Sequence, residues 1–148
     1  MKIVIAGATG LVGSVMLKVL EESRIFRDVE LIPAASEHSA GKKVSFSGKE
    51  WNVRRMDEAL RSEPDIAIFS AGAEVSRQWA PQFAATKCFV IDNSSAWRNE
   101  QNIPLVVPEI NAKTIRKDTY IIANPNCSTI QMVLALYPLH RHYGIRRL

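Results

Sequence analysis

Two cysteines occur in the 148-residue chain, Cys88 and Cys127. Cys127 stands in "NPNCSTIQMV", after an apolar run at 120–125 and before Ile130, Val133, Leu134 and Tyr137, which recur at helical spacing. That pattern sets the thiol at or near a helix N-terminus, at the carboxyl end of a strand. There the helix dipole and unpaired N–H groups favour the thiolate, the nucleophilic form of cysteine. Ser128 or Thr129 could cap the helix, and Asn126 could orient a substrate or donate to an oxyanion. Cys88, beside "FVID", reads instead as a small buried hydrophobe. The two cysteines are far apart and lack CxxC spacing, so neither a disulfide framework nor a zinc site is indicated, and no metal is expected.

A second group of residues points to a phosphate-bearing ligand. "GATGLVG", Gly7 to Gly13, follows an apolar run directly and precedes a helical pattern. Glycines let the backbone turn tightly and approach a pyrophosphate, while the N–H groups at the helix start attract its charge. In a dinucleotide fold the end of the second strand meets the adenosine ribose, and here that end reads "ASEHSAGK". Ser36 and Ser39 could hydrogen-bond a 2′-phosphate and His38 could add partial positive charge, whereas Glu37 could accept from a free 2′-hydroxyl. Both NADP and NAD stay open on these residues. A thiol nucleophile facing a nicotinamide implies aldehyde oxidation through a thioester that a second nucleophile then cleaves.

The elements that must position these groups alternate along the chain. Apolar runs at 2–6, 29–36, 65–71, 88–94 and 120–125 read as strands. Val12, Val15, Met16, Val19 and Leu20 fall at helical spacing, and 57–62 and 75–87 also read as helices, with Pro81 a kink or a boundary. Continuous apolar strands separated by helices predict a mostly parallel sheet covered on both faces, hence a doubly wound, Rossmann-like α/β fold. Residues 1–148 are expected to form one dinucleotide-binding domain bearing the nucleophilic cysteine. Gly144 is placed to close the last helix and Ile145 to begin a new strand, so the chain is expected to be cut rather than finished there.

Composition excludes several classes. Hydrophobic residues make up 47% and charged residues 23%, and no segment is long enough to span a bilayer, so a membrane protein is not expected. The start "MKIVIAGATG" is too short in apolar residues for a secretory signal, which points to the cytoplasm. The net charge of +4 is scattered and not interleaved with aromatics, which argues against nucleic acid and suits a small phosphate-bearing ligand.

"GATGLVG", "ASEHSAGK", "FSAG", "IDNSSAWR", "PLVVPEIN" and "NPNCSTIQMV", in that order and spacing, closely resemble the N-terminal part of the aspartate-semialdehyde dehydrogenases. N-acetyl-gamma-glutamyl-phosphate reductase shares the architecture, but "DNSSAWR" and "NPNCST" look less like it. The resemblance implies reductive dephosphorylation of L-aspartyl 4-phosphate with NADPH, in the lysine, threonine and methionine pathway. It implies that Cys127 is the nucleophile, that Arg98 binds phosphate, and that Asn126 lies beside the nucleophile. It further implies that Thr9, Gly10, Leu11, Val12 and Gly13 form the pyrophosphate loop with Gly7, that Gly72 is the cofactor-side turn, and that Ser36 and Ser39 contact the 2′-phosphate. The family usually has arginine where this chain has His38, so NAD stays possible. The family's general-base histidine, carboxylate-binding arginine and dimer-forming sheet belong to a second domain absent from this chain. The chain is therefore expected to be inactive alone and the full-length protein to be a homo-oligomer, a dimer or tetramer. His140 and His142 are expected to be surface or dipole-capping residues. The competing expectation is a stand-alone nucleotide-binding or regulatory module.

Overall fold

Strands built only of apolar residues have no side to turn to water, and the sheet they form lies inside the molecule. A computed structural model describes residues 1–26 and 28–148. In chain order it contains β1 (Lys2–Ala6), α1 (Leu11–Glu22), β2 (Glu30–Ala35), β3 (Lys43–Phe46), β4 (Lys49–Asn52), β5 (Arg54–Arg55), α2 (Met56–Arg61), β6 (Ile66–Phe69), α3 (Ala73–Ala85), β7 (Phe89–Asp92), α4 (Pro108–Asn111), β8 (Ile121–Ala123) and α5 (Cys127–Tyr143). The main sheet runs β5-β2-β1-β6-β7-β8, and every neighbouring pair is parallel. This is the doubly wound α/β arrangement expected from the sequence. The order reverses between β1 and β6, and the carboxyl ends of those strands are where such sheets open a ligand crevice. Pro33 is accommodated in β2 because β5 pairs only from Ala34 onward, leaving that side of Pro33 without a neighbour that needs its missing N–H.

Right-handed crossovers decide which face each connection covers. Met56 and Ala59 of α2 and Ala80 and Phe83 of α3 pack with Val4, Ala67, Phe69 and Val90 on one face. Leu17 and Leu20 of α1 pack with Ile3, Ile5, Leu31 and Phe46 on the other. The sheet is not covered on both faces throughout, contrary to the sequence reading. On the α1 side, Ile66 and Ile68 are half-buried, and Phe89 and Ile91, their partners in register, are 42% and 37% exposed. Within residues 1–148, α2 and α3 both pack on the opposite face.

The apolar stripe on α1 meets its expected role only in part. Leu20 is buried and Met16 half-buried, but Val12, Val15 and Val19 are exposed, and Gly13 and Leu17 join Leu20 at the core. Gly13 sets that orientation. A Cβ there would collide with the carbonyl oxygen of Gly7 and lie 2.9 Å from Ala8 Cα, so only glycine lets the helix backbone approach the turn after β1 this closely. Gly13→Ala is expected to destabilise the fold by about 2 kcal/mol or more, since the clash is with backbone that cannot turn aside. Urea denaturation checks this, and an unchanged midpoint would contradict it.

The β3–β4 hairpin was not foreseen. Ser47 (φ 52°) and Gly48 (φ 69°) make a two-residue turn with both central residues left-handed, the geometry that suits the twist of a tight hairpin. Helix α3 runs through Pro81, and α5 ends at Gly144, which is left-handed and donates its N–H to the His140 carbonyl at 2.9 Å. Residues 145–148 do not start a strand. Among the described residues, no helix is long and apolar enough to cross a membrane.

Candidate functional site

The chain leaves β1 at Gly7, whose φ of +90° is strained for a residue with a side chain. The N–H groups of Gly7 and Ala8 donate to the Ala34 carbonyl at 2.8 and 3.2 Å, tying the turn to β2. A Cβ on Gly7 would stand 2.6 Å from the Ser70 carbonyl oxygen, so the turn also presses against the end of β6. Gly10 then begins α1 with no side-chain cap on the first-turn N–H groups. A cleft of about 540 Å³ opens over this turn, lined by Gly7, Thr9, Gly10, Ser36, Arg55 and Trp79 among others. Bare backbone and uncapped helix N–H groups facing a cleft at the sheet's switch point fit the pyrophosphate of a dinucleotide.

The structure brings Gly7, Thr9, Gly10 and Ser36 together on this cleft, with Glu37 beside them. Gly72, also left-handed at φ +91°, caps α3 immediately after the cleft-lining Ser70 and Ala71. His38 is exposed and Ser39 half-buried in a short 3₁₀ turn, Glu37–Ser39, off the lining itself. Leu11 and Val12 open α1 exposed to solvent, and Val12 lines a separate apolar groove with Val15, Met16, Val19, Leu20 and Ile68. Gly13 is buried under the turn, where its contribution is close packing.

The second constellation lies at the carboxyl ends of β7 and β8. Cys127 is exposed and is the first residue of the 17-residue α5. Neither Ser128 nor Thr129, the caps expected from the sequence, caps that helix. The cap is Asn126, whose Oδ1 accepts the Ser128 N–H at 2.9 Å, because the residue before the first helical turn is the one whose side chain can reach back to these donors. Asn126 keeps its Nδ2 donors.

Arg98 is half-buried and pinned to both strand ends: Nε donates to the Asn124 carbonyl at 3.1 Å and Nη2 to the Asn93 carbonyl at 3.0 Å. Asn124 Nδ2 in turn donates to Asn93 Oδ1 at 2.7 Å, and the Asn124 N–H to the Asp92 carbonyl at 2.8 Å. Asp92 holds the loop that carries Arg98. Its buried carboxylate accepts from the Ser94 N–H at 2.7 Å, from Ser94 Oγ at 2.6 Å, and from Ser76 Oγ on α3. Trp97 Nε1 donates to Ser76 Oγ at 2.7 Å and completes the network. Sequence reasoning missed Asp92, Ser76 and Trp97. The available signal was an aspartate closing the apolar run "CFVI", a charge that must find donors if the strand is buried.

The two cysteines occupy opposite environments. Cys88 is fully buried, and burial, with a smaller contribution from the Asp65 carboxylate, pushes its thiol from 9.0 up to about 12. Cys88 thus remains a neutral thiol, while Cys127 is accessible. Iodoacetamide at pH 8 is expected to alkylate Cys127 and spare Cys88 in the folded chain, with Cys88 reacting only after denaturation. Peptide mapping reads this, and early labelling of Cys88 would contradict it. Because the folded-state value is raised, the stability that this burial contributes is intact below about pH 9 and is lost as pH rises toward about 12. Among the described residues no group of three or more His, Cys, Asp or Glu is arranged to hold a metal.

The fold that carries these residues is shared with known proteins. The aspartate-semialdehyde dehydrogenase of Aquifex aeolicus (strain VF5) is 52% identical over 149 residues, covering 99% of this chain and 44% of that protein. The crystal structure of aspartate semialdehyde dehydrogenase II complexed with ASA from Vibrio cholerae superposes with a TM-score of 0.92 at 49% identity, covering 99% of this chain and 48% of the other. The aspartate semialdehyde dehydrogenase with NADP from Candida albicans superposes with a TM-score of 0.78 at 26% identity, covering 97% and 48%. The chain thus spans less than half the length of the relatives it matches. The family described as "Semialdehyde dehydrogenase, NAD binding domain" matches residues 2–118, from β1 past the Arg98 loop, and with the glycine turn and its cleft inside that span, the chain belongs to this family.

Proposed function

We propose that the protein carrying this chain is an NADP-linked phosphorylating aldehyde dehydrogenase that interconverts aspartyl phosphate and aspartate semialdehyde through a thioester on Cys127. The observation that carries this reading is Cys127 itself, an exposed thiol opening α5 at the end of β8, three residues beyond the carbonyl that anchors Arg98. In the reductive direction the Cys127 sulfur attacks the acyl carbon, the bond from that carbon to the phosphate oxygen breaks, and phosphate departs. Arg98 is suited to hold it: two of its five N–H donors are used by backbone carbonyls, leaving three on a fixed fork for the anion. Asn126 Nδ2 can steady the oxygen on which negative charge develops. A nicotinamide dinucleotide held over Gly7 and Gly10 would supply the hydride that reduces the thioester carbonyl. Cys127 would then leave as the thiolate as the carbon–sulfur bond breaks, freeing the aldehyde.

The relatives' names support aspartate semialdehyde as substrate, and the NADP in the Candida albicans structure supports that cofactor. On this reading residues 1–148 are the cofactor and nucleophile domain of a cytoplasmic, homo-oligomeric biosynthetic enzyme feeding lysine, threonine and methionine. The rest of the protein supplies the proton-transferring base and the clamp for the substrate carboxylate, so this chain alone is a poor catalyst. The test is NADPH formation from aspartate semialdehyde by the full-length protein with and without inorganic phosphate. Turnover is expected only with phosphate, and phosphate-independent turnover would overturn the reading.

A further inference from the structure

Resting on the reading that the cleft over Gly7 takes a nicotinamide dinucleotide, we propose that Arg55 selects NADP over NAD by exchanging its bound carboxylate, Glu37, for the 2′-phosphate. Arg55 ends β5 and stands in register with Ala35, the last residue of β2, which puts it beside the strand end that meets the adenosine ribose in such folds. It lines the cleft, and among the residues that do so it is the cation. Its backbone N–H donates to Glu58 at 3.3 Å, so the side chain projects from a fixed point at the start of α2.

The guanidinium already does half of what the phosphate would ask of it. Nη2 is 3.1 Å from Glu37 Oε1, and Nε is 3.1 Å from Asp57 Oδ1. The two carboxylates are held differently. Asp57 is also bound by Arg61 Nη2 at 2.9 Å and is 32% exposed, whereas among the described residues Glu37 has this one ion pair and is 78% exposed. Asp57 therefore orients the fork, and Glu37 is the partner that can leave, since an ion pair this exposed is weak in water. A phosphate monoester carries up to two negative charges and three acceptor oxygens, and a guanidinium fork prefers it to a single carboxylate. Glu37 swung clear also removes the like charge that would oppose the phosphate. With NAD the exchange has no driving force, because a 2′-hydroxyl cannot compete for Arg55, and Glu37 stays in place to accept from it.

The experiment measures dissociation constants of NADPH and NADH for the full-length protein by fluorescence titration, with Arg55→Gln, Arg55→Lys and Glu37→Gln. Arg55→Gln is expected to weaken NADPH by about ten-fold to a hundred-fold while moving NADH less than about two-fold, NADH serving as the control for folding. Arg55→Lys, which keeps charge but loses the fork, should fall between. Glu37→Gln is expected to tighten NADPH and weaken NADH. Equal effects of Arg55→Gln on both dinucleotides, or weaker NADPH binding in Glu37→Gln, would overturn the role given to this pair. A wild-type protein that binds neither dinucleotide would overturn the dinucleotide reading and this inference with it, whereas NADPH binding unchanged by Arg55→Gln overturns the inference alone.

Discussion

Cys127→Ala is expected to remove phosphate-dependent NADPH formation, a loss on the order of 10⁴-fold or more, because no neighbouring group can form the thioester in its place. The other cysteine is sealed under the sheet with its thiol raised to about 12. The variant should nevertheless fold and bind dinucleotide as the wild type does. Cys127 is exposed, and its helix is capped by Asn126 rather than by the cysteine itself. Cys127→Ser should fare little better, since a hydroxyl is far less ionised at neutral pH and among the described residues no side chain hydrogen-bonds position 127 as a base would. Steady-state rates with fluorescence titration of NADPH separate the two effects. Turnover retained in Cys127→Ala would sink the thioester route, and loss of dinucleotide binding would mean that the residue does structural work instead.

The parts of the molecule legible in the sequence are those where a single local rule decides. The runs "KIVIA" and "IAIF" could only be buried strands, and the glycine turn between β1 and α1 follows from the need for left-handed backbone at Gly7 and close approach at Gly13. The cleft over that turn follows from strand order once the sheet is parallel. What failed did so where tertiary context overrides spacing. The valine stripe of α1 has perfect helical periodicity, yet Gly13 rotates Leu17 and Leu20 inward and leaves Val12, Val15 and Val19 outside. In α5 the spacing of Ile130, Val133, Leu134 and Tyr137 foretold the helix, and within residues 1–148 that face is half-buried to exposed. The β3–β4 hairpin was hidden by polarity. Only Val44, Phe46 and Trp51 turn toward α1 and the sheet, and the Ser47-Gly48 turn was the one local clue. Within the site, Arg98 was found by motif, but its support was not, because Ser76, Asp92 and Trp97 meet only through the fold.

Asp92→Ala should be the most damaging change outside the chemistry itself, costing about 3 kcal/mol or more of stability. The carboxylate is fully buried at the end of β7, and its removal strands three donors at once: the Ser94 N–H, Ser94 Oγ and Ser76 Oγ. Ser76 is itself the acceptor for Trp97 Nε1, so the loss passes to the ring that covers α3 beside the core. Asp92→Asn should be destabilising as well despite its matching shape, because its amide would present N–H groups to partners that are already donors. The consequence reaches the site through the backbone. Asn93 follows Asp92 directly, its carbonyl holds Arg98 Nη2, and its side chain accepts from Asn124 on the way to Cys127. A loosened 93–98 loop should therefore weaken phosphate binding more than NADPH binding, whose cleft is walled by other strand ends. Urea midpoints for Asp92→Ala, Ser76→Ala and the double variant give the coupling energy, which should be well above about 0.5 kcal/mol if the two side chains act as one unit. An Asp92→Ala protein with a wild-type midpoint and an unchanged KM for phosphate would show that Arg98 is held without it.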